Sequence, residues 1–309
     1  MMARGRVGLF LHDGENDYQK LMQLDAEQAA RRHDLALDVQ LGGKDADRQI
    51  SQIRMAIAGP AGSRPDLILV SPVREQLLLP LLRAAARAGI SWGLLTRWLD
   101  EIPEIRREYP DVDVFSASAN QREIGRLQGH QLAILKAADD EVFYLSGPAG
   151  TSTARHRAEG IQSELESLRT RCQTFYGDWS QESGRTTARR WLAGLPKARL
   201  LSILIVGQND SMALGAREAV EESFATEGKA LPKELRIIGC DGSTAFGQRL
   251  VIQGKLSATI VVPPVSGRAI DLFAQRLGGR GRPAALELVG VFSQPSLEAL
   301  RTKYGRLRL

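Results

Sequence analysis

The chain has 309 residues, 43% hydrophobic and 25% charged, enough for two lobes with a core each and ordinary for a globular protein. No apolar run approaches the roughly 18–20 residues a membrane span requires, so no membrane insertion is expected. The formal charge of +5 sits in short scattered clusters, Arg185/Arg189/Arg190, Arg276/Arg280/Arg282 and Arg301/Lys303/Arg306/Arg308. None makes a long basic helix or alternates with aromatics, so these read as solvated faces and no direct nucleic-acid partner is expected.

In chain order, Val7–Leu11 reads as a strand, running directly on from Met1-Met2-Ala3-Arg4-Gly5-Arg6. No apolar signal segment precedes it: the reading is cytoplasmic if that start is native, periplasmic if an export signal was removed. Tyr18–Arg32 follows as a helix with apolar Leu21, Leu24, Ala26 and Ala29. Then come strand Leu35–Leu41, a Gly42-Gly43 turn, helix Asp45–Ala58, strand Leu67–Val70, helix Gln76–Ala88 ended by Gly89, and strand Ser91–Leu95. Strands alternating with helices of this length imply βαβ crossovers and a parallel sheet covered on both faces.

The rhythm restarts after about residue 120. Helix Glu123–Ala137, strand Glu141–Leu145, helix Thr153–Leu168 and strand Thr170–Tyr176 are followed by helix Ser183–Ala193, strand Leu201–Val206, helix Ser211–Ser223 and strand Leu235–Gly239. The fold class predicted is α/β, with two doubly wound parallel-sheet lobes and a ligand cleft between them. Ligands of parallel sheets bind beyond the carboxyl ends of the strands. Function is therefore expected in the loops at 12–18, 71–74, 96–99, 147–157, 177–182, 207–211 and 240–244.

Templates for catalysis are missing. The loop Gly147–Ser152 lacks the Gly-Lys-Ser/Thr ending of a P-loop, and His12, His33, His130 and His156 show no HExxH spacing. No Gly-x-Ser-x-Gly elbow occurs either. Asp13, Glu15 and Asp17 alternate along one loop and read as caps of the next helix rather than metal ligands. Cys172 and Cys240 have no metal-ligand spacing and are expected to stay unpaired thiols. Neither metal nor cofactor is expected, and the chain reads as a non-enzyme.

Several segments together resemble the periplasmic sugar-binding proteins of the ribose-binding type, whose fold is shared with the ligand domains of lactose-repressor-type regulators. They are Tyr144–Ile161, with Arg157 three residues before Gly160; Gly207–Ala216, with Asn209-Asp210 at a helix start; Ile238–Gly242; and Gly254–Ile260. The resemblance runs over nearly the whole chain, and Gln294–Leu309 reads as an addition to it. It implies interleaved lobes, 1–119 plus 263–288 and 120–262 plus 289–309, joined by a three-strand hinge near Ala119-Asn120, Val262-Pro263 and Leu288-Val289.

The same resemblance implies the site. A sugar offers hydroxyls at its edge and weakly apolar faces, which call for planar aromatics and for carboxylates, amides or guanidinium forks. Tyr18 and Trp179 match the family's stacking aromatics and are expected to face each other across the cleft. Asn16, Arg97, Arg157, Asn209 and Asp241 match its polar edge readers. Asn209 also reads as a helix cap, and the two arginines as partners for surface acids. Gln19 stands at one aromatic position, Cys240 at another, Val262 at an amide position, and Thr96 where the family carries an acid beside Arg97. An arginine deprived of that acid needs a partner when buried, so the expectation leans towards an acidic sugar.

The implied function is a solute-binding protein for a sugar or polyol that closes on its ligand and meets a membrane transporter permease or a sensor. The alternative is a cytoplasmic ligand-sensing regulatory module, like a repressor core lacking its DNA-binding headpiece.

Overall fold

The computed structural model describes residues 4–168, 172–196, 202–228, 230–231 and 235–305. In chain order come β1 (Arg6–Leu11), α1 (Asp17–Arg32), β2 (Ala36–Leu41), α2 (Ala46–Ala58), β3 (Leu67–Val70), a 3-10 turn (Glu75–Leu77) and α3 (Leu79–Arg87). Next are β4 (Ser91–Leu95), α4 (Ile102–Glu108), β5 (Val114–Ala119), α5 (Gln121–Leu135), β6 (Glu141–Ser146), α6 (Ser152–Ser167), β7 (Cys172–Tyr176) and α7 (Gln181–Ala193). The chain continues through β8 (Ile203–Gly207), α8 (Asp210–Thr226), β9 (Arg236–Ile238), α9 (Gly247–Ile252) and β10 (Thr259–Val261). It ends with α10 (Ser266–Leu277), β11 (Leu286–Val289), β12 (Phe292–Gln294) and α11 (Leu297–Gly305).

These elements group into two units, Met1–Ala119 with Pro264–Val289, and Asn120–Pro263 with Gly290–Leu309. The first holds a six-stranded sheet in the order β11-β5-β4-β3-β1-β2, every pair parallel. The second holds a four-stranded parallel sheet, β7-β6-β8-β9. Its antiparallel pair β10-β12 is attached through the bridges Ile238↔Ala258 and Asp241↔Val261.

Strand periodicity explains why both faces of the second sheet are covered. Side chains alternate across a strand, so Phe143, Leu145, Ile203, Ile205 and Ile237 enter one core with Trp191 and Met212. Their neighbours Val142, Tyr144, Leu204, Val206 and Ile238 enter the other with Leu132 and Ile161. Each fully buried side chain of this size contributes about 1.5–3 kcal/mol. In the first unit, Phe10, Ile68, Val70, Trp92, Leu94 and Val114 form the corresponding cluster under α2, α3 and α4.

Two sequence expectations, one helix and one helix cap, are corrected. The helix expected over Gln76–Ala88 is broken at Leu78, because Pro80 has no N–H to continue the ladder back to Gln76. The segment read as an addition to the resemblance packs within the second unit over its described residues: β12 pairs with β10, and Leu300 and Tyr304 of α11 are buried in the Leu132/Ile161 core. The cap of α1 is Asn16, not one of the neighbouring acids. The expected starts of β7 at Thr170 and of β8 at Leu201, and the tail from Arg306, lie outside the described residues. Cys172 and Cys240 are unpaired thiols, and burial pushes the Cys172 thiol up to about 12.

Of the basic clusters, Arg185 and Arg189 are met by Glu182 and Glu222 on the α7–α8 face. Arg276 and Arg282 flank the buried Asp113.

Candidate functional site

In the first unit the candidate residues lie at the carboxyl ends of three adjacent strands, β1, β3 and β4, in the loops there and at the start of α1. After β1, the buried Asp13 accepts N–H bonds from Glu15 at 2.8 Å and Asn16 at 2.7 Å, which curls the loop. Its other oxygen lies 2.7 Å from His12 Nδ1. Burial alone would raise its pKa, but the His12 contact and the two N–H donors outweigh that and hold it at about 2. Asn16 then caps α1, its Oδ1 accepting from Tyr18 N at 3.0 Å and Gln19 N at 3.2 Å. Tyr18 is buried at 8% exposure and Gln19 at 4%.

After β4, the backbone turns left-handed at Thr96, with φ 63, a region costly for a β-branched residue. Arg97 follows, its NH1 donating to Thr96 Oγ1 at 3.1 Å and to Thr96 O at 3.2 Å. Ser116 Oγ donates to the Arg97 carbonyl. The acid for Arg97 comes from the loop after β3: Glu75 Oε2 lies 3.1 Å from Arg97 Nε, with both side chains 8% exposed. This corrects the expectation that Thr96 leaves Arg97 without a carboxylate, and it removes the reason for favouring an acidic sugar.

In the second unit Arg157 sits in the second turn of α6, and the helix pair α5–α6 fixes where it points. A Cβ on Gly160 would lie 2.1 Å from the Arg122 carbonyl oxygen, and one on Gly125 2.0 Å from that of Arg157. Only glycines permit this approach, which explains the Arg157-x-x-Gly160 spacing. It brings Gln121 Oε1 to 2.8 Å from Arg157 Nε, while NH1 donates to the Gln208 carbonyl. Asp241 Oδ1 stands 3.8 Å from the same NH1. Arg157 therefore also has an acidic neighbour.

Trp179 lies at the same place, its ring centroid 5.8 Å from the Arg157 guanidinium carbon, a cation–π distance. The ring rests against Gly147, where a Cβ would sit 2.0 Å from it, and packs partly on the Phe143/Met212 core. Asn209 caps α8 through Met212 N at 2.8 Å and donates its amide to Trp179 O at 2.9 Å, so its contacts position the Trp179 loop. Trp179 has φ 72 and Asp241 φ 100. With Thr96, three site positions are therefore left-handed non-glycines, the strain that collects at functional sites.

Two residues outside the predicted ligand set, Gln208 and Asp210, hold this arrangement. Gln208 is fully buried: its Oε1 accepts from Gly147 N at 2.9 Å, and its Nε2 donates to Tyr144 Oη at 2.7 Å and Ala154 O at 2.9 Å. Asp210 accepts from Gly242 N and Thr259 Oγ1, both at 2.7 Å, and so anchors the turn that carries Asp241. Cys240, beside it, is fully buried, and burial raises its thiol pKa. Val262 is buried at 3%. The signal for Gln208 and Asp210 was their place in the Gly207–Ser211 loop. That for Glu75 was its place one residue past the expected loop at 71–74. Among the described residues, no group of three or more His, Cys, Asp or Glu could hold a metal ion, and no helix is long and apolar enough to cross a membrane.

Comparison with known proteins gives a consistent result. Residues 7–280 match the family model described as a periplasmic binding protein domain. The ribose import binding protein of Salmonella typhimurium is 32% identical over 177 residues, which are 56% of this chain and 56% of that protein; the chain thus spans about half the length of that relative. The Bacillus subtilis ribose import binding protein is 22% identical over 84% of this chain and 76% of its own. Among solved structures, a galactofuranose binding protein superimposes with a TM-score of 0.79 at 19% identity, covering 97% of this chain and 98% of that one. The binding component of the Shewanella sp. ANA-3 arabinose transporter gives 0.78 at 22%, covering 98% and 96%. At these identities the solved structures show the fold, and the family model, matching most of the chain, shows the membership: the chain belongs to the periplasmic binding protein family.

Proposed function

We propose that this chain is a non-enzymatic solute-binding protein for a sugar or sugar-like polyol, delivering it to an ABC-type transporter permease. The observation that carries the reading is that each unit presents one buried arginine beside a carboxylate at the carboxyl end of its parallel sheet: Arg97 with Glu75, and Arg157 with Asp241. Such pairs offer donors and acceptors to the hydroxyls at a sugar's edge, and Trp179 and Tyr18 offer apolar faces to its ring. Asn16, Gln19, Asn209 and Asp241 complete the set of polar groups proposed to contact or position the ligand. Both units act on the same ligand in this reading, so binding favours a closed state. Similarity to import binding proteins supports transport over the repressor-like alternative, and it supports a periplasmic location.

The test is a thermal-shift screen over pentoses, hexoses, polyols and sugar acids. A ligand at a hundred times its Kd adds roughly 2.7 kcal/mol of stability. Stabilisation by at least one sugar is expected. No response to any sugar, alongside a clear response to an amino acid or a nucleotide, would reject the reading.

A further inference from the structure

Between β8 and β9 the parallel ladder runs through Leu204↔Arg236, Ile205↔Ile237 and Val206↔Ile238. The next residues along the two strands are Gly207 and Gly239, and two positions beyond each stands a candidate ligand residue, Asn209 and Asp241. One side chain spans the two glycines. Gln128, fully buried on α5, donates its Nε2 to Gly207 O at 2.8 Å and to Gly239 O at 3.1 Å. A primary amide carries two N–H groups, so one nitrogen serves both carbonyls. The ends of β8 and β9 are thereby fixed to each other and to α5 just past the last ladder pair. Beyond the glycines the loops bond to one another: Asp210 N donates to Cys240 O at 2.6 Å and Gly242 N to Asp210 Oδ2 at 2.7 Å. Those bonds join the loops, and the Gln128 amide seats the joined pair on the helix. The same helix holds the third polar candidate. Gln121 precedes Gln128 by close to two helical turns and so shares its face, and its Oε1 is 2.8 Å from Arg157 Nε.

Resting on the function proposed above, we propose that Gln128 is a positioning residue for ligand recognition. From α5 it sets where Asn209 and Asp241 stand relative to Arg157, and it acts through them. Gln131, one turn further along the helix, supplies the contrast. It is equally buried, and its Nε2 also donates twice, but to Thr259 O at 3.0 Å and Ser293 Oγ at 2.8 Å, on the β10–β12 pair. Buried carbonyls need donors wherever they lie. A role confined to meeting that need therefore predicts the same consequences at both glutamines, whereas a positioning role predicts different ones.

Gln128→Met and Gln131→Met keep the length of the side chain and remove its donors. D-Ribose, D-galactose and L-arabinose are titrated calorimetrically into the unaltered chain and both variants, and urea denaturation gives the three stabilities. Both variants should lose stability. For each sugar that the unaltered chain binds, Gln128→Met should weaken binding by about tenfold, the scale of one well-placed polar contact, and Gln131→Met by less than about twofold. Binding by folded Gln128→Met within about twofold of the unaltered chain, or equal weakening in both variants, overturns the role. Should Gln128→Met not fold, Gln128→Asn, which draws the N–H groups back by one methylene, is judged against Gln131→Met by the same criteria. If the unaltered chain binds none of the three sugars, hydrogen exchange of the ligand-free proteins decides. The Asp210 and Gly242 amides, measured relative to those of β6, should then exchange about tenfold faster in Gln128→Met than in Gln131→Met. Equal rates overturn the positioning role, whereas the sugar reading itself stands or falls by the thermal-shift screen.

Discussion

The two units present the same chemical group, a buried arginine beside a carboxylate, from different local structures. In the first unit Arg97 sits on a loop, after a left-handed threonine, and its carboxylate arrives from a second loop. In the second, Arg157 sits on a helix whose partner helix is held at backbone contact by Gly125 and Gly160, and Gln121, Gln208 and Asp241 gather around it. The first arrangement depends on loop conformation and on one charge pair. The second depends on helix packing, with the ion pair as a looser contact at 3.8 Å. Substitutions should therefore separate fold from recognition differently in the two units.

The largest effect is expected at the helix contact. Gly160→Ala places a methyl 2.1 Å from the Arg122 carbonyl oxygen, forcing α5 and α6 apart at a cost of about 3 kcal/mol. Urea denaturation should show the loss. Because the helix shift moves Gln121 away from Arg157, ligand affinity should fall in the same variant even under conditions where it is folded. Full stability with unchanged affinity would mean that helix packing does not hold Arg157.

Recognition in the second unit is probed by Trp179→Ala. The ring lies over Arg157 and only partly on the core, so titration calorimetry should show ligand binding weakened by about 2 kcal/mol. The melting temperature of the ligand-free protein should move much less. A variant that loses stability but keeps affinity would make Trp179 a core residue.

A change of similar size, driven by pH, is expected in the first unit. Asp13 has a folded pKa of about 2 against an ordinary 3.8. A depressed carboxylate stabilises fully above its unfolded pKa, and the contribution disappears as pH falls towards the folded value. Between about pH 4 and pH 2 the protein should therefore lose about 2 kcal/mol from this group. Asp13→Asn should show a flatter urea-stability profile across that window. Parallel profiles for the two proteins would remove Asp13 from the account.

The sequence made the alternation of strands and helices legible because βα repeats carry both periodicities at once. It also pointed to Arg157 and Asn209, each within a segment that carries the family resemblance, and to Trp179 through its place in the loop at 177–182. Short elements with mixed polarity were missed: α4 carries Pro103 near its start, and β5, Val-Phe-Ser-Ala-Ser-Ala, alternates with small polar residues. Glu75 was missed for a different reason. Its partner is brought to it by the pairing of β3 with β4, and no spacing along the chain announces a contact made across a sheet. The supposed isolation of Arg97 was an inference from its immediate neighbour alone, which is why it failed. Leu300 and Tyr304 lie in the segment read as an addition to the resemblance, and they are buried in the same core as Leu132.

The smallest effect concerns the backbone of the first unit. Thr96→Asn keeps a side-chain oxygen near Arg97 and suits φ 63 better than a β-branched residue, so stability should rise by about 0.5–1 kcal/mol. A loss instead would show that the Thr96 hydroxyl contributes more than its conformation costs.

The central claim, that the two arginines serve one sugar, is tested most directly by calorimetric titration of the best sugar from the screen into the unaltered chain, Arg97→Met and Arg157→Met. The account predicts a single binding site in the unaltered chain, weakened by about 2 kcal/mol or more in each variant, with both variants folded. Unchanged affinity in either folded variant would contradict it, since that unit would then bring no arginine to the ligand.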